Sequence, residues 1–243
     1  MGSQYIESMT LCLVCQKWQS HSLCEDCITT FAQPALRCRR CALKLKSVPL
    51  SQPLGQYAEP ICPTCLSHPP VLDLCIAAVD YAYPWSDCIT RLKFGEDVGL
   101  ARALSRLMRH TPWAEAALEQ ADCVVPMPLS PSRLRERGFN QALELARHLH
   151  PDRIDLSSLH RLDTEAHQVG ADRAQRLHQV QNSFWLSPDN THRLKGQRVV
   201  LIDDVMTTGA TLYAAAETLR RAGVAQVSAL VFARTPEREP VLA

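Results

Sequence analysis

At 243 residues, 46% apolar and 21% charged, the chain suits one medium globular domain with a small companion, and the composition excludes a disordered polymer. A net charge of +1 gives no general pull toward nucleic acid or membrane, so any such contact must rest on local patches. No apolar run approaches the ~20 residues that span a bilayer, and the opening MGSQYIESMT lacks the basic and apolar regions of a signal peptide, so a cytoplasmic protein without membrane insertion is expected.

Eleven cysteines in a reducing compartment point to metal rather than to disulfides. Eight of them form four CxxC pairs: Cys12/Cys15, Cys24/Cys27, Cys38/Cys41 and Cys62/Cys65. A CxxC turn presents two thiolates to one ion, and two such turns complete a tetrahedral site. Sequential grouping of the pairs is the simplest; interleaved grouping needs longer loop closures and stays open. Two structural zinc sites are expected, since four thiolates leave no open position for catalysis. Redox dithiols are the competing reading, but such motifs are usually single and lie beside a βαβ pattern. Residues 1–70 are poor in large apolar side chains and rich in proline, so metal supplies the folding energy of a double zinc-ribbon domain. Arg37, Arg39, Arg40, Lys44 and Lys46 surround the third pair; without interleaved aromatics they read as a solvated basic face rather than a nucleic-acid surface.

Six prolines in residues 47–70 mark loop and linker, and residues 71–243 form the second domain. CIAAVDYAY, from Cys75, reads as a strand. Pro84 opens a helix, WSDCITRLKF, which Gly95 breaks. A second helix follows with Leu100, Ala103, Leu104 and Leu107 on one face. Cys75, Cys88 and Cys123 lack CxxC partners and read as small core residues. A strand, DCVVPMP, begins at Asp122. The next segment reads as a loop carrying Arg133, Arg135 and Arg137. It closes at Gly138 on a helix starting near Asn140, which is an anion site in kind. Residues 161–184 are polar and rich in Arg, Gln and His, which by themselves suit a surface helix with a solvated face. His167 and His178 have no metal spacing. The tail after Arg234 reads as unstructured.

The most informative stretch is VVLIDDVMTTGAT, ending at Thr211. Val199 to Ile202 read as a buried strand, Asp203 and Asp204 stand at the loop mouth, and Thr207, Thr208, Gly209, Ala210 and Thr211 lead into an alanine-rich helix. The loop directs backbone N–H groups and a helix dipole at one spot, with glycine and small hydroxyl residues allowing a phosphate close approach. The two carboxylates can hold sugar hydroxyls directly or through Mg²⁺. A further strand, Val227 to Phe232, completes a βαβ unit. The alternative is a capped helix with two ordinary turn aspartates.

This stretch resembles the PRPP motif of type I phosphoribosyltransferases. The resemblance implies ribose contacts for Asp203 and Asp204, a 5′-phosphate loop at residues 207–211, and a pyrophosphate loop bordered by Arg137 and Gly138. It also implies that a flexible loop lies near residues 161–184. More broadly the chain resembles the ComF family. The elements that carry the likeness are the cysteine pairs, LKF at Leu92 to Phe94, VPMPL, RGFNQA at Arg137 to Ala142, Q-x-G-x-x-R at Gln168 to Arg173, and LIDDVMTTGATL. Ala171 and Gln179 depart from the usual pattern. The likeness implies a five-stranded, mostly parallel α/β sheet with helices on both faces behind the zinc-ribbon domain. It implies PRPP with magnesium as ligand, and a role in DNA uptake or natural transformation with single-stranded DNA and a DNA-uptake helicase as partners. The alternative is an active phosphoribosyltransferase with an unidentified nucleobase or amine acceptor.

Overall fold

A computed structural model describes residues 9–46, 60–94, 99–163 and 183–237. The first cysteine turns sit on a short antiparallel hairpin, β1 (Thr10–Leu11) and β2 (Trp18–Gln19). Helix α1 (Glu25–Phe31) follows, and Cys24 caps it by accepting from the Cys27 N–H at 3.4 Å. Helix α2 (Pro63–Ser67) begins after Cys62 with proline in its first turn. Neither short helix was expected. In each, the second CxxC of a set supplies the residue at the helix start, so metal-ligand spacing and helix entry coincide.

The body of the chain then runs β3 (Leu74–Asp80), α3 (Trp85–Lys93), α4 (Leu100–Arg109), α5 (Ala114–Gln120) and β4 (Cys123–Pro126). It continues through α6 (Pro131–Arg137), α7 (Gln141–Leu149), the hairpin β5 (Leu159–Arg161) and β6 (Phe184–Leu186), α8 (Pro188–Leu194), β7 (Arg198–Met206), α9 (Ala210–Arg221) and β8 (Gln226–Arg234). Strands β3, β8, β7 and β4 form a parallel sheet in that order, with Cys75 opposite Ala229, Ala229 opposite Leu201, and Leu201 opposite Val125. Parallel strands covered on both faces read as nearly continuous apolar runs, as VVLI and SALVFA do here. On one face Val199, Leu201 and Val231 pack with Leu212 and Leu219 of α9 and with Leu159 and Phe184 of the hairpin. On the other, Val200, Ile202 and Leu230 pack with α3, α4, α5 and α7. Helices therefore lie on both faces.

Four strands pair in this sheet among the described residues, where five were expected. A fifth position is marked by one parallel bridge, Val124 to Ile154. Before Ile154 stands a 3-10 turn (Pro151–Arg153), and after it Asp155 turns the chain by accepting from the Ser157 and Ser158 N–H groups. Too little extended backbone is left for a ladder.

Both cysteine turns dock on this body. Leu23 joins the core beside Leu74, and the Trp85 indole donates to the Phe31 carbonyl at 2.8 Å. Cys38, Cys41, Cys62 and Cys65 belong to the same buried cluster as Leu72, Ala77 and Leu201. The basic cluster around Cys38 is solvated only in part: Lys44 and Lys46 are exposed, but Arg37 pairs with Asp80 at 2.8 Å, Arg40 donates to the Leu72 carbonyl, and Arg39 lies over the Trp113 ring. Cys75, Cys88 and Cys123 are buried in the core as expected. Among the described residues no helix is long and apolar enough to cross a membrane.

Candidate functional site

Strand β7 does not stop at Ile202. It runs through both aspartates to Met206, with Asp203 opposite Val231 and Val205 opposite Ala233. The sequence reading ended it early because carboxylates are rare in a buried strand, and here tertiary pairing overrides that preference. Neighbouring residues on a strand project to opposite faces. The Asp204 carboxylate meets Lys93, at the end of α3, at 3.2 Å, a buried ion pair rather than an aligned hydrogen bond. The Asp203 carboxylate accepts from the Asp204 N–H at 2.9 Å. Burial, and then the neighbouring Asp204 charge, hold the Asp203 carboxyl well above the usual carboxylate range.

After β7 the chain turns through Thr207 and Thr208, both exposed, into Gly209 at φ +88°, the N-cap of α9. A Cβ at Gly209 would stand 2.4 Å from Met206 Cε and 2.7 Å from Tyr213 Cζ, so only glycine fits. The cap residue offers no side chain, and the Thr208 hydroxyl accepts from the Ala210 N–H at 3.3 Å. What remains is a helix start with backbone donors and two threonine hydroxyls facing outward, the arrangement that attracts an anion.

The arginine-rich segment is a helix rather than a loop. Ser130 accepts from the Arg133 N–H, Pro131 follows at the first helical position, and Gly138 ends α6 at φ +76°. Serine followed by proline is a helix start, and that signal was legible. Asn140 caps α7 as expected, accepting from Ala142 and Leu143. Arg137 donates to Gln141 Oε1 at 3.0 Å, and Gln141 Nε2 donates to the Lys93 carbonyl at 3.3 Å. Lys93 thus meets both segments: its carbonyl accepts from Gln141, the partner of Arg137, and its ammonium pairs with Asp204. Lys93 and Gln141 had no assigned role in the sequence reading. Nothing local in LKF or RGFNQA announces a contact between segments so far apart in the chain. Arg161 lies over the Phe184 ring at 5.4 Å. The Gln168 to Arg173 element, His167 and His178 lie outside the described residues.

Arg234, at the end of β8, is a further residue that sequence reasoning missed. Its buried guanidinium donates to the carbonyls of Cys41 at 2.9 Å, Met206 at 3.2 Å, Thr235 at 2.8 Å, and Thr207. It thus ties the second cysteine cluster to the loop after β7. Between these two lies a cleft of about 1140 Å³ lined by His68, Thr207, Thr208, Tyr213, Glu217 and Arg234 among others.

The eight paired cysteines converge in sequential grouping. The sulfurs of Cys12, Cys15, Cys24 and Cys27 lie within 4.8 Å of one another, as do those of Cys38, Cys41, Cys62 and Cys65. In the second set, hydrogen bonding with Cys41 draws the Cys38 thiol down to about 4, while burial pushes Cys65 up to about 12. Four sulfurs this close cannot all ionise without a cation among them, and four thiolates at one point are a donor set for a metal ion. Either cluster could hold one.

A family model described as "Phosphoribosyl transferase domain" matches residues 136–242, from the end of α6 through β8. The DNA utilization protein YhgH of Escherichia coli O6:H1 is 34% identical over 185 residues, covering 72% of this chain and 78% of that protein. Competence protein F of Haemophilus influenzae is 30% identical over 208 residues, covering 81% of this chain and 90% of that protein. The chain belongs to the ComF family. The likeness to another ComF relative, competence protein ComFC of Bacillus subtilis, extends over 93% of this chain and 95% of that protein at 29% identity.

Proposed function

We propose that this protein binds PRPP at the carboxyl end of β7 and serves DNA uptake or natural transformation in the cytoplasm. The observation that carries the reading is the junction of β7 and α9. Paired carboxylates, Asp203 and Asp204, stand just before a helix start built from Thr207, Thr208, Gly209, Ala210 and Thr211, whose N-cap residue offers no side chain. A sugar phosphate needs those two ends: acids for hydroxyls and a backbone cradle for phosphate. Asp203 and Asp204 would hold the ribose, residues 207–211 the 5′-phosphate, and Arg137 and Gly138 would border the pyrophosphate. The contacts that bring Gln141, the partner of Arg137, and Asp204 to the same residue, Lys93, support a common site. When bound, Mg²⁺ would neutralise pyrophosphate charge between the acids and the ligand. Zinc suits the two all-cysteine clusters, as a structural element of residues 1–70 ahead of a phosphoribosyltransferase-like domain at 71–243. The names of its relatives, DNA utilization and competence proteins, support a role with DNA, and single-stranded DNA and a DNA-uptake helicase are its proposed partners.

A second reading, transfer of ribose 5-phosphate to a nucleobase or amine, is favoured by the perturbed Asp203 carboxyl, since strongly shifted acids collect at catalytic sites. Such a transfer passes through an oxocarbenium-like state, so the protein would position and stabilise charge without a nucleophile of its own. Calorimetry and thermal shift with Mg²⁺–PRPP test the binding reading. A rise in melting temperature with ligand is expected by mass action, and no heat and no shift at millimolar ligand would remove it. Pyrophosphate release with a panel of acceptors then separates a binder from a transferase.

A further inference from the structure

Most arginines of the described chain are engaged within the molecule. Arg37, Arg40, Arg109, Arg153, Arg198, Arg220 and Arg234 bind carboxylates or carbonyls. Arg102 and Arg106 are different. They lie one turn apart on α4, and neither guanidinium has a carboxylate partner among the described residues. His110 continues the same stripe at the helix end, where its ring bonds the Arg106 carbonyl at 2.7 Å. Beside them stand Thr10 of β1 and Ser20, His21 and Ser22, which follow β2. Together with Leu23, Ile28, Ala103 and Leu107 these residues line a cleft of about 620 Å³, and no carboxylate lines it.

We propose that this cleft holds a short run of single-stranded nucleic acid, with successive phosphates on Arg102 and Arg106 and on the hydroxyls of the hairpin. Two unneutralised guanidiniums one helical turn apart, faced by hydroxyl donors, match consecutive phosphates rather than one small anion. The apolar lining residues accommodate bases. A concavity takes an extended single strand; a duplex is instead entered by a protruding element. The choice of nucleic acid over an acidic protein segment rests on the DNA-handling part of the proposed function. The cleft itself shares no residue with the β7–α9 junction.

The test uses the full-length, metal-loaded protein and a fluorescent oligothymidylate, with affinity followed across a salt series. The double substitution Arg102→Gln and Arg106→Gln should flatten the dependence of log affinity on log salt by about 1.4, since each single-strand phosphate contributes about 0.7. Between about 50 and 200 mM salt the variant should therefore lose roughly sevenfold less affinity than the wild type. Lysine at both positions should keep the wild-type slope, which separates charge from a structural effect. Ultraviolet cross-linking should place adducts on residues 10–22 and on α4. Wild-type protein that fails to bind at low salt, an unchanged slope in the glutamine variant, or adducts confined to other segments would each overturn the proposal. So would capture of an acidic protein segment by the cleft without nucleic-acid affinity. The Mg²⁺–PRPP thermal shift is read on the same variants: its failure in wild type would remove the PRPP site and leave the cleft standing, while an intact shift beside lost DNA binding isolates the cleft.

Discussion

Asp203 and Asp204 are neighbours in sequence with opposite consequences for stability. The folded protein holds the Asp203 carboxyl above its ordinary pKa of 3.8, first through burial and then through the Asp204 charge. Folding therefore favours its protonated form. The contribution is present below the unfolded value and is lost as pH rises through the raised folded value, so at neutral pH the unfolded chain ionises this acid more readily than the folded one and the group opposes folding. Asp203→Asn is expected to raise the melting temperature at pH 7 and to have little effect near pH 3. Asp204 has a partner instead, Lys93 at 3.2 Å, with side chains only 12% and 24% exposed. Removing one partner of a buried pair costs about 3–5 kcal/mol, and the partial exposure of Lys93 puts Asp204→Asn at the lower end. Both substitutions should weaken Mg²⁺–PRPP by roughly tenfold or more, since charge-assisted hydrogen bonds contribute about 1.5–3 kcal/mol each. Phosphate alone should bind nearly as before. Thermal melts at the two pH values, beside calorimetry with both ligands, check this. Equal destabilisation by the two substitutions would show that the environments of the two acids are wrongly assigned.

At the scale of elements, the turn between β7 and α9 depends on Gly209. Alanine there must adopt φ +88° and place its Cβ 2.7 Å from the Tyr213 ring. The left-handed backbone costs about 1–2 kcal/mol and overpacking about 1–3 kcal/mol more. Gly209→Ala should therefore lower stability by about 2–5 kcal/mol and weaken inorganic phosphate binding in parallel. Unchanged phosphate affinity in a folded Gly209→Ala protein would mean that the turn is not the phosphate cradle. This element was legible in sequence because each of its parts is local: an apolar run, small hydroxyl residues, one glycine and an alanine-rich helix. Other elements were less legible for physical reasons. Helix α6 was read as a loop because its arginines suggested an anion loop, although Ser130 and Pro131 signalled a helix start. Strand β7 was ended four residues early because its aspartates look like turn residues until β8 is seen to pair with them. Lys93 and Gln141 entered the site only through contacts between distant segments, which no local pattern encodes.

At the scale of the molecule, the second cysteine cluster is not an appendage. Its four cysteines share a buried cluster with Leu72, Ala77 and Leu201, and the Cys41 carbonyl accepts from Arg234, whose guanidinium also holds the carbonyls of Met206, Thr207 and Thr235. Structural zinc in cysteine-rich peptides binds with about 10–16 kcal/mol, as much as the entire stability of a typical domain at about 5–15 kcal/mol. Four thiols packed within 4.8 Å therefore cannot be expected to keep their arrangement once a metal is withdrawn. The disturbance should travel through Arg234 into the loop at residues 207–209, because one planar fork serves both sides. Zinc-selective chelation, followed by hydrogen exchange, should expose the backbone of α2 and of the loop together. Inorganic phosphate, used in place of Mg²⁺–PRPP so that chelation of magnesium plays no part, should bind more weakly to the stripped protein. Arg234→Lys should reproduce the loop effect with both clusters loaded, since an ammonium is a point donor that cannot span the four carbonyls. Loss of metal that opens only residues up to about 70, with loop protection and phosphate affinity unchanged, would show the two parts to be energetically independent despite their shared core.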